Sequence, residues 1–242
     1  MFTKGDLHIH STASDGCLSP RQIVMLAKIR GIDTIAISDH NSIDGIAEAS
    51  KAGKEYGVSV IPAVELSTRF NDESIHILGY FKNENFNNAA FKQILKLVKK
   101  HEAVNLRKMA WGYRKNQYLN KYLSSFEGIY LLKSFGASAV LAHPVRISDK
   151  NLPDLLNMPF DGIEAKYCDC SDYTTDFFIN LALKKFSFYT GGSDFHTDKA
   201  YDHKHCLIGK PYLDSAELQR FIKNSGVLVL GNIGNSISHK IV

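Results

Sequence analysis

The sequence contains few cysteines, and their positions exclude several classes of protein. The four are Cys17, Cys168, Cys170 and Cys206. They are too few and too scattered for a disulfide-rich secreted domain, and Cys168 and Cys170 lack the two-residue spacer of a zinc knuckle or redox motif. We therefore expect four reduced thiols in a cytoplasmic protein. His203 and His205 precede Cys206, but without further ligands nearby in the sequence we interpret them as part of a surface loop.

The sequence also lacks long apolar segments. No apolar run approaches the ~18 residues that span a bilayer, and residues 1–6 carry charge without an apolar core, so no signal peptide is expected. Hydrophobic residues nevertheless make up 44% of the 242 residues and aromatic residues 11%. Such a chain can bury the core of one α/β barrel or of two small domains, and it is not of a disordered or low-complexity class.

The formal net charge of +4 is unevenly distributed. Residues 82–137 contain eleven Lys or Arg and three Glu, a local charge of +8, which leaves 18 basic and 22 acidic residues elsewhere, a net charge of −4. Phe91, Ile94, Leu95 and Val98 in this segment have helical spacing, and lysines occupy another face of the same predicted helix. A single lysine of this kind is most simply a solvated side chain, but the whole run favours a surface that faces a polyanion.

Basic and aromatic residues alternate further along the same segment. They are Arg107, Lys108, Trp111, Tyr113, Arg114, Lys115, Tyr118 and Tyr122. The simpler interpretation is a small aromatic core beneath a solvated helical face. The functional interpretation is that rings such as those of Trp111, Tyr113 and Tyr118 stack on a nucleic-acid base.

A pair of histidines near the N-terminus is the first sign of a metal site. His8 and His10 are two residues apart in a predicted strand, so their imidazoles point to the same face. Asp194 and His196 repeat this spacing near the other end of the chain. A His-x-His pair alone is weak evidence for a metal, but further histidines and carboxylates recur at later strand-like runs. These are Asp39, His40, Glu65, His76 and His143.

Predicted strands and helices alternate along most of the chain. The predicted strands are residues 34–38, 58–66, 74–81, 139–142, 162–165, 186–190 and 227–230, and the predicted helices include 19–31, 43–56 and one around 218–222. This alternation implies a parallel sheet, and the polar residues cluster at strand ends, where parallel α/β folds place their chemistry. The pattern therefore predicts an α/β barrel or a doubly wound sheet.

Several short motifs follow one another outside the basic segment. They are Asp6-Leu7-His8-Ile9-His10-Ser11, Asp15-Gly16, Ser38-Asp39-His40-Asn41, Pro62-Ala63-Val64-Glu65, His76, Ala142-His143-Pro144 and Gly192-Ser193-Asp194-Phe195-His196. Together they resemble the PHP superfamily, the polymerase and histidinol phosphatase domain of metal-dependent phosphoesterases. The resemblance implies an α/β fold, a distorted (β/α)7 barrel formed by residues 1–81 and 138–242, with residues 82–137 as a basic helical insert covering the site.

The resemblance further implies two or three divalent metal ions at the mouth of the barrel. The implied ligand sets are His8, His10, Glu65 and Asp194 for one ion, Glu65, His76 and His143 for a second, and Asp15, His40 and His196 for a third. Imidazole and carboxylate ligands suit Zn, Mn or Fe and do not choose among them. We also expect Asp39 to orient a metal-binding imidazole without binding the metal itself.

This constellation predicts hydrolysis of a phosphate ester. Divalent ions neutralise the phosphate charge and lower the pKa of bound water, so we expect a metal-bound hydroxide to attack phosphorus. Arg146, three residues after His143, is expected to bind a phosphate oxygen and the charge that builds up in the transition state. The alternative interpretation of Arg146 is an ordinary surface arginine.

The insert, the Ala142–Arg146 motif and the Gly192–His196 motif are similar to the branch of the superfamily that acts on nucleotides. That branch includes nucleoside 3′,5′-bisphosphate phosphatases and 5′-to-3′ exonucleases. The implied substrate is a nucleotide or a short oligonucleotide, with no membrane association and no obligate protein partner.

Three alternatives remain open at the level of sequence. A histidinol-phosphate-type phosphatase would gain little from a basic lid, because its substrate is a cationic amino alcohol. A non-catalytic, metal-stabilised module that binds nucleic acid should have lost some of the ligand positions, and none is missing. A carbon–nitrogen hydrolase would also use a His-x-His metal site, but the third ligand set and the basic insert favour phosphate.

Overall fold

A computed structural model describes residues 2–112, 120–168, 170–198 and 205–231. Seven strands form one sheet whose spatial order follows the chain. The strands are β1 Gly5–Ile9, β2 Thr34–Ile37, β3 Ser59–Phe70, β4 Glu73–Phe81, β5 Ala137–Leu141, β6 Gly162–Lys166 and β7 Phe188–Gly191. The main-chain N–H of His10 donates to the carbonyl oxygen of Phe195 at 2.9 Å, so the segments after β1 and β7 meet and the barrel is nearly closed. The α/β barrel predicted from the sequence is confirmed.

Helices surround this barrel. They are α1 Pro20–Ile29, α2 Ile46–Tyr56, α3 Ala89–Lys99, α4 Ala103–Trp111, α5 Ser125–Ser134, α6 Leu152–Leu156, α7 Asp172–Lys185 and α8 Ser215–Ser225. The Ser19 hydroxyl caps α1 by accepting from the main-chain N–H of Gln22, and Gly57 ends α2 in a left-handed conformation with φ 69°. Within the described ranges, no helix combines the length and the apolar character that crossing a bilayer requires.

Strand β4 differs from the parallel sheet that the strand and helix pattern implied. It is antiparallel to both β3 and β5. Only Asn71 and Asp72 separate β3 from β4, and two residues suffice for a hairpin but not for the crossover that a parallel pair needs. The reversal places the beginning of β4 beside the carboxyl end of β3, where His76 lies opposite Ser67. His76, a candidate metal ligand within β4, therefore lies at the same end of the barrel as the candidates that follow β1 and β2.

Residues 227–230, predicted as a strand, do not form one. Leu230 and Val60 exchange two main-chain hydrogen bonds of 2.8 Å, and the N–H of Leu228 donates to the carbonyl oxygen of Phe81 at 2.8 Å. These bonds join the segment to both β3 and β4, so it crosses the end of the barrel opposite the mouth and does not extend the sheet.

The segment 82–137 packs against the same hydrophobic core as the barrel. Phe91, Ile94, Leu95 and Val98 are buried on one side of α3, as their helical spacing predicted. Helix α5 packs against β3, β4 and β5, so the segment is continuous with the barrel wall. The division of the chain at residues 82 and 137 stays a prediction.

Arg107 lies outside the surface that the charge pattern assigned to a polyanion. Its guanidinium donates to the two carboxylate oxygens of Glu127 at 2.6 and 2.8 Å and to the carbonyl oxygens of Asn120 and Tyr122. Burial raises the pKa of Glu127, but the hydrogen bonds and charge of Arg107 and the hydrogen bonds of Ser124 together outweigh burial and lower that pKa. Arg107 therefore joins α4 to α5, and the prediction of a solvent-facing charge is wrong for this residue. Tyr113, Arg114, Lys115 and Tyr118 lie outside the described residues.

The prediction of four reduced thiols is also wrong, because Cys168 and Cys206 form a disulfide. Cys168 follows β6, and the main-chain N–H of Cys206 donates to the carbonyl oxygen of Ser193, just after the neighbouring strand β7. The pairing of adjacent strands therefore brings together two cysteines that are 38 residues apart in the sequence. Cys17 and Cys170 are not part of this disulfide.

Candidate metal centre

The mouth of the barrel brings together the nine side chains that the sequence identified as potential ligands. Glu65, on β3, lies next to five of the histidines. Glu65 Oε2 lies 3.1 Å from His10 Nε2 and from His40 Nδ1, and Glu65 Oε1 lies 3.1 Å from His76 Nδ1 and 3.2 Å from His143 Nε2. One buried carboxylate thus contacts imidazoles from four different segments of the chain.

Asp194 is the second carboxylate of the cluster. Its Oδ1 lies 3.2 Å from His8 Nε2 and 3.1 Å from His10 Nε2. His8, His10, Glu65 and Asp194 are all buried, and each offers a ligand atom within 4.8 Å of the others. This group has the composition that the resemblance implied for the first ion.

Asp15 lies at the rim, with its side chain 52% exposed. Its carboxylate oxygens lie 3.5 Å from His10 Nδ1, 3.9 Å from His40 Nε2 and 3.5 Å from His196 Nε2. The implied third set, Asp15, His40 and His196, is therefore close together, with His10 between it and the first group. His40 also joins Glu65 and His76 in a potential ligand group.

The cluster contains buried polar atoms that other protein groups do not satisfy. His10 Nδ1, His40 Nδ1, His143 Nδ1 and Glu65 Oε2 make no hydrogen bond of acceptable angle with any described residue, although Glu65 Oε2 lies 3.1 Å from His40 Nδ1. Each unsatisfied buried group costs about 1–3 kcal/mol. A cluster with several such groups therefore favours the binding of an ion that these atoms can coordinate. Imidazole nitrogens and carboxylate oxygens are ligands of Zn, Mn and Fe. The residues present therefore fit divalent metal ions.

The electrostatics of the cluster also favour cations. Burial raises the pKa values of Glu65 and Asp194, but the imidazoles around them outweigh burial and hold both pKa values well below the usual range. Burial lowers the pKa of His8, but the carboxylates of Glu164, Asp194 and Glu65 outweigh it and raise this pKa well above its usual value. At His40 burial dominates and lowers the pKa to about 4. The two carboxylates are thus ionised, and His40 is a neutral ring, the forms that bind a metal ion.

Glu164 on β6 is a functional residue that the sequence analysis missed. It is buried, and its two oxygens accept from His8 Nδ1 at 2.9 Å and from the main-chain N–H of His143 at 2.8 Å. The first bond keeps the proton on Nδ1, so His8 Nε2 is left for a ligand. A carboxylate within a short apolar strand, Gly162-Ile163-Glu164-Ala165, was the available signal.

The orienting role that the sequence suggested for Asp39 therefore belongs to Glu164. Asp39 instead accepts from the main-chain N–H and the hydroxyl of Ser11, both at 2.7 Å, and from the hydroxyl of Ser14 at 2.6 Å. These serines belong to the loop between β1 and α1 that carries Asp15. Asp39 thus holds the loop that presents a rim carboxylate.

Two further residues contact Asp194 and were not identified from the sequence. The hydroxyl of Tyr167 donates to Asp194 Oδ2 at 2.7 Å, and His205 Nε2 lies 3.8 Å from the same oxygen. The ring of His205 stacks on that of His196 with centroids 4.0 Å apart. His205 therefore forms a potential ligand group with Asp194 and His196, which the sequence did not predict. His203 lies outside the described residues.

Arg146 lies at the edge of the cluster. Its Nη1 is 3.6 Å from Asp194 Oδ2, its guanidinium lies 5.1 Å from the centre of the Tyr167 ring, and its side chain is 38% exposed. An anion at the barrel mouth can reach this guanidinium from solvent. Its role in binding phosphate stays a prediction.

Comparison with known proteins places the chain among phosphoester-active relatives. A "5'-3' exoribonuclease" from Haemophilus influenzae is 42% identical over 107 residues, 44% of this chain and 39% of that protein. A "3',5'-nucleoside bisphosphate phosphatase" from Chromobacterium violaceum is 36% identical over 74 residues, 31% of this chain and 26% of that protein. The matches thus span well under half of these two curated relatives.

A third relative matches over a longer range. The "phosphoribosyl 1,2-cyclic phosphate 1,2-diphosphodiesterase" from Eggerthella lenta is 26% identical over 244 residues, covering 79% of this chain and 93% of that protein. Among solved structures, a Bifidobacterium adolescentis protein, whose proposed role is that of a metal-dependent phosphoesterase, superposes with a TM-score of 0.71. It shares 20% identity, over 91% of this chain and 96% of that one, and so supports the fold.

A family model described as the PHP domain matches residues 6–184, which is most of the chain. The matched range contains the ligand candidates from His8 to His143 together with Glu164. The resemblance that the motifs indicated is confirmed, and the chain belongs to the PHP domain family.

Proposed function

We propose that this chain is a metal-dependent phosphoesterase that hydrolyses phosphate esters of nucleotides or short oligonucleotides. The observation that carries the proposal is the convergence of potential ligand groups on one buried carboxylate, Glu65. The names of the Haemophilus and Chromobacterium relatives support the substrate class. The charge of +8 on residues 82–137 suits an anionic substrate.

The proposed ligands are those of the implied sets, for two or three ions of Zn, Mn or Fe. Ions bound there would neutralise the charge of a phosphate ester and lower the pKa of water toward neutrality. The protein holds the ligands in position beforehand. His196 Nδ1 donates to the carbonyl oxygen of Asp194 at 2.7 Å, which leaves its Nε2 on the side of Asp15, and the Tyr167 hydroxyl fixes Asp194 Oδ2.

Arg146 is the proposed phosphate-binding residue. Its guanidinium packs on Tyr167 and lies beside Asp194, so its position at the mouth is fixed on two sides. An arginine can donate two parallel hydrogen bonds to a phosphate, and these strengthen as charge builds up on the oxygens. Arg146 thus binds the ester while the cluster supplies the reactive centre.

Glu164→Gln is expected to weaken metal binding about 10- to 100-fold, the usual effect of removing a group that orients a ligand. Glutamine has one oxygen for two donors, His8 Nδ1 and the main-chain N–H of His143. If its amide nitrogen faces His8, the proton must move to Nε2, where a metal would bind. Titration of the metal-free protein with Mn²⁺ measures the change.

Glu73→Gln is the matched control for this variant. Glu73 also accepts several hydrogen bonds from a neighbouring segment, through Ser148 and Asn151, but outside the cluster. Its variant should bind Mn²⁺ as the wild type does. Equal metal affinity in Glu164→Gln and the wild type would contradict the orienting role of Glu164.

A substrate panel tests the proposed function. Phosphate release would be followed with adenosine 3′,5′-bisphosphate and histidinol phosphate, and release of mononucleotides with a short 5′-phosphorylated oligoribonucleotide, each with Mn, Fe or Zn. We expect kcat/KM for a nucleotide substrate to exceed that for histidinol phosphate by about tenfold or more, which corresponds to about 1.4 kcal/mol of transition-state binding. Preference for histidinol phosphate would overturn the substrate class, and binding of nucleic acid without hydrolysis under any metal would favour a non-catalytic module.

A second candidate function is cleavage of a cyclic phosphate diester. The observation that favours it is length: the match with the Eggerthella diphosphodiesterase covers 93% of that protein, against 39% of the exoribonuclease. Phosphoribosyl 1,2-cyclic phosphate therefore belongs in the same panel, with formation of the ring-opened monoester as the readout. A kcat/KM highest for this compound would replace the nucleotide proposal with the second candidate.

A further inference from the structure

A pocket of about 210 Å³ lies between the β3–β4 hairpin and the segment 82–137. We propose that it binds a second anionic group of the substrate, a phosphate separate from the ester that is hydrolysed. This inference rests on the proposed function and deepens it, because it assigns a second subsite to the same active site. The polar residues that line the pocket are Ser67, Thr68, Arg69, Ser74, His101 and Tyr122.

The pocket begins next to the metal centre. Successive side chains of a strand alternate between its two faces, so Glu65, Ser67 and Arg69 lie on one face of β3. Strand β4 pairs with this part of β3 in regular register, and Ser74 and His76 likewise share a face. Each step of two residues spans about 7 Å. The serines thus lie one step from the cluster residues Glu65 and His76, a distance that two phosphates on one nucleoside can span.

A hydrogen-bonded bridge fixes the boundary between the cluster and the pocket. Asn41 follows the ligand candidate His40 and has a left-handed φ of 49°. Its main-chain N–H donates to the carbonyl oxygen of Glu65 at 2.8 Å, and its side chain both donates to Ser67 Oγ at 2.8 Å and accepts from the N–H of Ser67 at 2.9 Å. The position of the pocket relative to Glu65 is therefore set by rigid groups.

The character of the pocket suits an anion. The guanidinium of Arg69 lies 4.4 Å from the centre of the Tyr122 ring, the ammonium of Lys121 lies 5.1 Å from it, and the His101 ring meets it edge-on at 4.9 Å. Because these groups already engage Tyr122, a phosphate fits this place better than a stacked base. Arginine with nearby hydroxyl donors is a recurring phosphate site.

The carboxylates closest in sequence do not neutralise the pocket. None of the residues that line it is acidic in the part of the chain that the structure describes. Asp72 lies 3.9 Å from the ammonium of Lys150 and contacts Arg69 only through its main-chain oxygen, while Glu73 accepts from Ser148 and Asn151. These two carboxylates therefore do not neutralise the guanidinium of Arg69, which can attract an anionic ligand.

The test compares adenosine 3′,5′-bisphosphate with the 3′- and 5′-monophosphates on the metal-loaded protein. Initial rates give KM for compounds that are hydrolysed, and calorimetric titration gives Kd for those that are not. We expect the KM or Kd of the wild type to be at least about tenfold lower for the bisphosphate than for the monophosphates. In Arg69→Met, the value for the bisphosphate should rise about tenfold, and the values for the monophosphates should change less than twofold. Arg69→Lys, which keeps the charge, should retain most of the affinity.

Arg220→Met is the matched control, because Arg220 is an exposed arginine on α8. This variant should have the wild-type KM or Kd for the bisphosphate and for the monophosphates. If the wild type hydrolyses the bisphosphate but Arg69→Met binds it equally well, the pocket inference is overturned and the proposed function stands. If no ester is hydrolysed but Arg69→Met selectively raises the Kd for the bisphosphate, the pocket binds a second phosphate group and the proposed hydrolysis is contradicted.

Discussion

Glu65→Gln is expected to lower kcat/KM by at least about a thousandfold, or roughly 4 kcal/mol of transition-state stabilisation. Glu65 is buried and lies within 3.1–3.4 Å of nitrogens from five histidines. Glutamine preserves the shape but removes the negative charge and one of the two oxygens that connect the ligand groups. Steady-state kinetics and the metal content of the purified variant measure the effect together.

Glu55→Gln is the matched control for this prediction. Glu55 is an exposed carboxylate on α2 that pairs with Arg21, away from the barrel mouth. Its variant should keep the wild-type rate and metal content. A Glu65→Gln protein that retains full metal content and more than about a tenth of the wild-type rate would contradict the bridging role of Glu65.

Removal of metal is expected to abolish activity and to lower the thermal unfolding midpoint by about 5–10 °C. Ions present at a hundred times their dissociation constant stabilise the folded state by about 2.7 kcal/mol, and for a chain of this size each kcal/mol shifts the midpoint by about 2–4 °C. Without ions, the buried atoms His10 Nδ1, His40 Nδ1 and Glu65 Oε2 make no hydrogen bond of acceptable angle with any described residue. Dialysis against a chelator followed by calorimetry measures both effects.

Restoring Mn, Fe or Zn should recover both the rate and the unfolding midpoint. Chelator already saturated with metal serves as the control, because it tests for effects of the chelator itself. Undiminished turnover after the metal has been removed would contradict a metal-dependent reaction.

The sequence predicted the barrel because local signals agreed with the tertiary structure. Ser19 and Pro20 begin α1 and Gly57 ends α2 where capping chemistry places them. The direction of β4 could not be predicted from periodicity, because a strand has the same alternation in either direction. The predicted strands 58–66 and 74–81 left residues 67–73 between them, so the two-residue connection through Asn71 and Asp72 became visible only in the structure.

The ligand candidates could be predicted because their spacing has a direct geometric meaning. His8 and His10 share a face of any extended strand, whatever else the chain does. Glu164 and His205 carry no comparable local signal. Glu164 acts on His8 across the barrel, and His205 lies near Asp194 because the tertiary fold brings the two side chains together.

A comparison of two arginines shows why charge patterns alone do not assign function. The guanidinium of Arg107 forms a buried ion pair with Glu127, whereas that of Arg69 lines an open pocket. The distinction depends on which groups the fold brings to each guanidinium. The disulfide between Cys168 and Cys206 has the same origin, since it follows from the adjacency of β6 and β7.

Anomalous X-ray diffraction from crystals grown with Mn²⁺ tests the metal centre most directly. Two or three anomalous peaks are expected at the barrel mouth, each about 2.0–2.3 Å from imidazole or carboxylate atoms. One should have Glu65 and Asp194 as ligands, and another should lie among Asp15, His40 and His196. Metal-saturated crystals with no peak next to Glu65 would contradict the proposed centre.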